Sequence, residues 1–160
     1  MARLEDIPEP TRTAVASIPC PAFETTPFVA GPPLSKRRVA IVSSAALIQR
    51  GDKPFPFGSG ECRPLQRSWD PNDILISHVS INFDRAGYQR DINVVYPIDR
   101  LKHLAIDGLI GSVANTHYTV MGSTDPAEMA ASADFIAAAF KADTSTPSSS
   151  PPFDRCAPAP

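Results

Sequence analysis

The chain has 160 residues, with 15 Lys and Arg against 17 Asp and Glu and a formal net charge of -2, so it fits one ordinary domain and offers no polycationic face. That balance excludes nucleic acid as a main partner, because phosphate neutralisation requires clustered basic side chains. Hydrophobic residues make up 42% of the chain, enough for a core, yet no stretch approaches the roughly 20 apolar residues of a membrane span and the start lacks a signal-peptide pattern. The expectation is a soluble cytoplasmic protein with no membrane partner.

In chain order, residues 1–36 hold seven prolines, each without an N–H and with φ fixed, which predicts an extended arm that is neither helix nor central strand. Its Ile18, Phe23, Phe28 and Val29 suggest that the arm lies against a domain surface. The regular domain is placed at residues 37–143. Val39-Ala40-Ile41-Val42 is β-branched and lacks polar alternation, as in a strand buried on both faces. Ser43 to Gln49 reads as a loop or helical turn, and Arg50 to Pro71 as a long surface loop. Asp73-Ile74-Leu75-Ile76-Ser77, entered from the turn Asp70 to Asp73, is a second strand, and Asn93-Val94-Val95-Tyr96 a third. A helix follows Pro97, with Ile98, Leu101, Leu104 and Ala105 on one face and Gly108 as its stop. Leu109 to Val113 forms a short segment. The last helix starts at Asp125 as N-cap, with Pro126 and Glu128 in its first turn, and carries Met129, Ala133, Ile136, Ala137 and Phe140 on one face. The alternation predicts an α/β layered domain with a mostly parallel sheet and flanking helices, followed by a Ser/Pro-rich tail at residues 144–160 read as disordered.

Chemistry concentrates in three polar blocks: Ser77 to Arg85, Gln89 to Asn93, and Asn115 to Tyr118. The first lies at the C-terminal end of a predicted strand, where open α/β sheets bind ligands. The blocks supply His78 and His117 for proton transfer, Asp84 and Asp91 to act with or orient a histidine, and Arg90 with Asn93 to hold a substrate carboxylate. Each has a plainer reading: a histidine at a strand end is more often a hydrogen-bonded structural residue. His103 is read as solvated, Asp99 and Arg100 as helix-start surface charge, and Arg50-Gly51-Asp52 as a turn. Cys20, Cys62 and Cys156 are an odd, widely spaced set without Cys-x-x-Cys, so neither a disulfide framework nor a metal is indicated. Gly58-Ser59-Gly60 lacks the rest of a phosphate-binding fingerprint, and no organic cofactor is implied.

Several segments resemble the selenoprotein B family of glycine, sarcosine, betaine and D-proline reductases. They include Leu4-Glu5-Asp6, Ile18-Pro19-Cys20-Pro21, Thr25-Thr26-Pro27, Arg38 to Val42, Ile76-Ser77-His78, Asp91 to Leu101, Gly108 to Val113, His117-Tyr118 and Met121-Gly122. The resemblance covers nearly everything from Met1 to Asp143 and is most specific over Asn93 to Leu101. It implies reductive cleavage of a carbon–nitrogen bond in an amino acid or N-methylated amine substrate by a selenol or thiol, with reductase-complex subunits and a thiol reductant as partners. In that family the nucleophile follows a strand after a helix ending in Lys-Ala-Asp. This chain keeps Lys141-Ala142-Asp143 and then departs, so the expected nucleophile is absent.

The genetic code connects the tail with that expectation. If Ser145, Ser148, Ser149 and Ser150 use TCN codons, a reading shifted by one base after Thr144 permits Val-Asp-Ala-Val-Leu-Leu-Thr-Pro-Val. The Phe153/Asp154 junction then reads TGA or CGA, and the following words permit Pro, Val and Cys; TGA is the selenocysteine codon. The expectation is a family domain truncated by a frame shift, leaving an inner strand unpaired and prone to association. The alternatives are an ordinary Ser/Pro-rich tail, and a non-catalytic fragment or small-molecule-binding subunit.

Overall fold

The structure, a computed structural model, describes residues 3–17, 24, 30–81 and 83–145. Two compact units emerge, residues 1–31 and 32–160. Within the first, a 3-10 turn spans Leu4–Asp6 and a helix, α1, spans Thr11–Ala16. The expected helix-free arm is corrected here: the window between Pro10 and Pro19 is proline-free, and Glu9 closes its first turn by accepting from the amide and hydroxyl of Thr13. Ile18, Cys20, Phe23, Phe28 and Val29 lie outside the described residues, as do Cys156 and the tail from residue 146 onward.

The second unit is α/β, with parallel and mixed sheets as the sequence pattern predicts. Its strands are β1 (Arg38–Val39), β2 (Val42–Ser43), β3 (Leu47–Gln49), β4 (Cys62–Gln66), β5 (Ile74–Ile76), β6 (Ser112–Val113) and β7 (Thr116–Val120). β1 pairs with β6 and β2 with β7, both in parallel; β4 pairs antiparallel with β7, and β3 antiparallel with β5. The helices are α2 (Ala86–Arg90), α3 (Ile98–Ile106) and α4 (Ala130–Ser145).

Four local expectations change. The 39–42 strand is not buried on both faces: Val42 is 49% exposed, because β2 is the outer strand of the order β2-β7-β4. Ser43 to Gln49 is no plain loop, since Ala46 turns the chain at φ 51° and Leu47–Gln49 then pairs with β5. Inside the expected surface loop runs β4, with Cys62 and Leu65 buried; Pro64 is tolerated because β4 is itself an edge strand. Asn93 to Tyr96 is not a strand, and Ile92–Val94 forms a 3-10 turn. Asp91 is the reason: its carboxylate accepts from the Asn93 amide at 2.9 Å and closes the turn before any ladder can form.

β7 carries the packing on both faces. On one, Leu47, Leu65, Ile74, Tyr96, Ile98, Ile110 and Val113 form the main core, with Leu101, Leu104 and Ala105 of α3 against it. The predicted α3 face and its stop, Gly108 at φ +71°, are as the periodicity requires. On the other, Tyr118 and Val120 meet Met129, Phe135, Ile136 and Phe140 at the start of and along α4, with Tyr118 edge-on to Phe135 and Phe140.

Gly58-Ser59-Gly60 has a packing role. The Ser59 carbonyl accepts from Thr124 at 2.8 Å and the Gly60 carbonyl from Ser132 at 2.7 Å, tying β4 to the start of α4. A Cβ on Gly60 would overlap the carbonyl of Glu128, so backbone must move to admit any side chain. Gly60→Ala should therefore lower stability by about 2–4 kcal/mol, read as a lower urea midpoint at unchanged slope, whereas Gly58→Ala, with open space around it but a positive φ, should cost about 1 kcal/mol.

Candidate functional site

Arg90, Asp91 and Asn93 come together. They line a polar cleft of about 460 Å3, with Arg50, Asn72, Tyr88 and Asp99 on its other walls. Asn93 is the clasp: its amide nitrogen donates to Asp91 at 2.8 Å and to Asp99 at 3.3 Å, and its oxygen accepts from the Asp99 backbone amide at 3.1 Å. The start of α3 is thus bound to the turn before it. Hydrogen bonds from Asn93 hold the Asp91 carboxyl below its ordinary pKa, with Arg100 assisting, and Lys102 and Asn93 do the same for Asp99. Both carboxylates are ionised and already occupied by donors.

The cations divide differently. Arg50 bonds to Asp73 at 3.1 Å and to the Asn72 carbonyl at 3.0 Å. The Arg90 guanidinium, at the end of α2, has no hydrogen-bond or ion-pair partner among the described residues. It is the unsatisfied charge of the cleft, a fork of donors suited to a carboxylate.

His78 and Asp84 stand in the segment between β5 and α2 and do not line the cleft. His78 is buried and stacked on Phe83 at 4.5 Å between ring centroids. Its Nδ1 accepts from the Ser80 amide at 3.2 Å, which leaves the neutral ring's proton on Nε2, the ring atom that a Cβ on Gly122 would meet. Burial, then the Arg85 charge, lowers its pKa. Asp84 accepts from the Ala86 amide at 2.8 Å and starts α2. Neither Asp84 nor Asp91 bonds a histidine among the described residues.

His117 is fully buried on β7. Its Nδ1 accepts from the Ile41 amide at 2.9 Å, and its ring stands edge-on to Tyr96 at 5.4 Å. Burial, with the Arg67 charge second, lowers its pKa to about 4, so the ring is neutral at neutral pH and Nε2 carries the proton. This is the geometry of a backbone-holding histidine. The signals missed at sequence level are Arg50, taken for a turn residue, and Asp99, taken for surface charge; their cleft exists only after β3, β5 and α3 assemble. Cys62 is a buried thiol on β4. Among the described residues no group of three or more His, Cys, Asp or Glu is placed to hold a metal ion, and no helix is long and apolar enough to cross a membrane.

Comparison with known proteins adds one relative. The chain is 31% identical over 90 residues to the D-proline reductase subunit gamma of Acetoanaerobium sticklandii, covering 56% of this chain and 36% of that protein. The similarity supports a relation to that reductase family. The match spans about a third of the relative's length, and that relative is by its name one subunit of a larger enzyme. No protein-family model and no solved structure matches the chain.

The His117 geometry predicts a pH dependence. A histidine whose folded pKa is about 4 against 6.5 unfolded binds more protons unfolded, so its contribution is complete above pH 6.5 and is lost as pH falls toward 4. The loss should reach about 3 kcal/mol, with His78 adding in the same direction. His117→Gln should show a shallower fall in urea midpoint between pH 7 and 4.5 than the parent; an equal slope would place the pH dependence elsewhere.

Proposed function

We propose that the chain is a substrate-binding relative of the selenoprotein B component of glycine, sarcosine, betaine and D-proline reductases, retaining the carboxylate site without the selenol or thiol nucleophile. The 31% identity to a D-proline reductase subunit supports the relation to that reductase family on which the reading builds. The cleft supports it, because the unpaired Arg90 fork can take an amino-acid carboxylate while Asn93 keeps the neighbouring acids away from it by occupying their oxygens.

In a nucleophile-bearing relative, the selenolate or thiolate attacks the carbon bonded to nitrogen, the C–N electron pair leaves on nitrogen, and that nitrogen takes a proton. Both neutral rings carry their proton on Nε2; His78, in the segment between β5 and α2, is the better candidate proton donor, since His117 is fully enclosed in the sheet and bound to Ile41. Cys62 is enclosed on β4 and does not serve as nucleophile. A thiol reductant and further subunits complete the reaction in such a complex.

Titration calorimetry of the full chain with D-proline, sarcosine, glycine and betaine tests this. At least one should bind, and Arg90→Ala should weaken it about tenfold or more, the scale of one charge-assisted pair at 1.4 kcal/mol. Incubation with dithiothreitol should release no amine. Failure of all four to bind removes the reading; amine release would overturn its non-catalytic half.

A further inference from the structure

One oxygen stands apart among the acceptors of the polar cleft. Two carboxylates line it, Asp91 and Asp99. Asp99 has both oxygens held, Oδ1 by Lys102 at 3.1 Å and Oδ2 by Asn93 at 3.3 Å. On Asp91 the two oxygens differ. Oδ1 accepts twice from Asn93, from its backbone amide at 2.9 Å and its side-chain nitrogen at 2.8 Å, and these bonds close the turn at Ile92–Val94. Oδ2 meets only Arg100 among the described residues, at 3.5 Å. That distance is the outer limit of a hydrogen bond and the Arg100 side chain is 65% exposed, so the pair is weak and gives way to a closer donor.

The same cleft holds the Arg90 guanidinium, the fork of donors without a partner among the described residues. Arg90 and Asp91 are chain neighbours, with Cα atoms about 3.8 Å apart, so a ligand only a few atoms long can reach both. One end of such a ligand is an anion for the fork and the other a cation for Asp91 Oδ2. The walls decide the kind of cation. A quaternary ammonium has no N–H to donate and is held by a cage of aromatic faces, whereas Tyr88 is the one aromatic ring among the described lining residues. An ionised carboxylate oxygen with open lone pairs instead matches an ammonium that donates.

We infer that the cleft selects α-amino acid zwitterions that keep at least one N–H on nitrogen, with Arg90 on the carboxylate and Asp91 Oδ2 accepting from the ammonium, and that it discriminates against a fully methylated nitrogen. The inference rests on the carboxylate-binding reading and adds a selection at the nitrogen end, which that reading leaves open. Because Asn93 holds Oδ1 in the turn, Asp91 has a single oxygen for the ligand, and a single N–H satisfies it. Glycine, sarcosine and N,N-dimethylglycine all supply that N–H at neutral pH. Betaine places methyl groups against an ionised oxygen, displacing its water and returning no donor.

Titration calorimetry of the full chain with glycine, sarcosine, N,N-dimethylglycine and betaine tests this, since the carboxylate stays constant while N–H groups fall from three to none. The drop in affinity should come at the last methyl, with betaine about tenfold or more weaker than N,N-dimethylglycine, and N,N-dimethyl-D-proline should fall below D-proline by a similar factor. Asp91→Asn keeps an oxygen for the two Asn93 donors and puts a donor in place of Oδ2, so it should erase the difference between N,N-dimethylglycine and betaine. A steady decline with every methyl, which reports crowding, overturns the inference. So does betaine binding equal to that of N,N-dimethylglycine, or a preference that survives in an Asp91→Asn chain whose urea midpoint shows it folded; if that variant does not fold, the methylation series on the parent chain decides. Binding that Arg90→Ala weakens but that shows no step at betaine sinks the selection alone, whereas no binding by any of these ligands removes the carboxylate reading and the selection together.

Discussion

The parallel pairing between residues 38–43 and 112–120 is the constraint on which the second unit depends, and it is imperfect in a telling way. Val39 stands opposite Val113 and Val42 opposite Tyr118, so the second strand carries two more residues than the first over the same span. A ladder cannot absorb that excess and still satisfy every amide. His117 resolves the conflict by folding its ring into the gap and accepting from the Ile41 amide through Nδ1. A buried amide left without a partner costs about 1–3 kcal/mol, so the ring substitutes for a backbone carbonyl. This role accounts for its burial and its neutrality, and it holds β1–β6 and β2–β7 as one surface.

That surface then organises its two sides unequally. The side holding Leu47, Leu65, Tyr96 and Ile98 is closed by α3 and by the 3-10 turn at Ile92–Val94, and the closure leaves the polar cleft at its margin. There Asn93 binds two carboxylates and Arg90 keeps its charge unspent. The other side is closed by α4, fixed at its start through Ser132 and Gly60 and at its end through Asp143 and Arg38. Fixing both ends sets the helix over Tyr118 and Val120 but leaves Val42 uncovered. The apolar groove between β2 and α4 follows from where the helix is anchored, because α4 cannot move toward β2 without breaking one of those ties.

Legibility in the sequence followed the range of the forces involved. The α3 face and Gly108 were readable because helix periodicity and a left-handed stop are local. Asp125 with Pro126 was readable for the same reason: the carboxylate accepts from Ala127, two residues away. Asn93 to Tyr96 misled because its β-branched composition suits a strand, while the Asp91 side chain, one position outside the window, closes a turn first. β4 was hidden because Pro64 and the charged Arg63 interrupt its pattern, and an edge position forgives them.

By itself the sequence determined the alternation of short strands and helices, the limits of α3, the Asp125 cap, which starts a 3-10 turn over Pro126–Met129 ahead of α4 rather than α4 itself, and the polar residues from which a carboxylate site could be made. These depend on contacts within a few residues, which composition and spacing record directly. Tertiary structure alone decided that His117 repairs a register mismatch, that Arg50 and Asp99 join Arg90 in one cleft, and that Arg38 holds Asp143 across a sequence separation of 105 residues. Those outcomes depend on which strands become neighbours, and neighbourhood across a sheet is set by the sum of packing on both its faces, a quantity no local window contains.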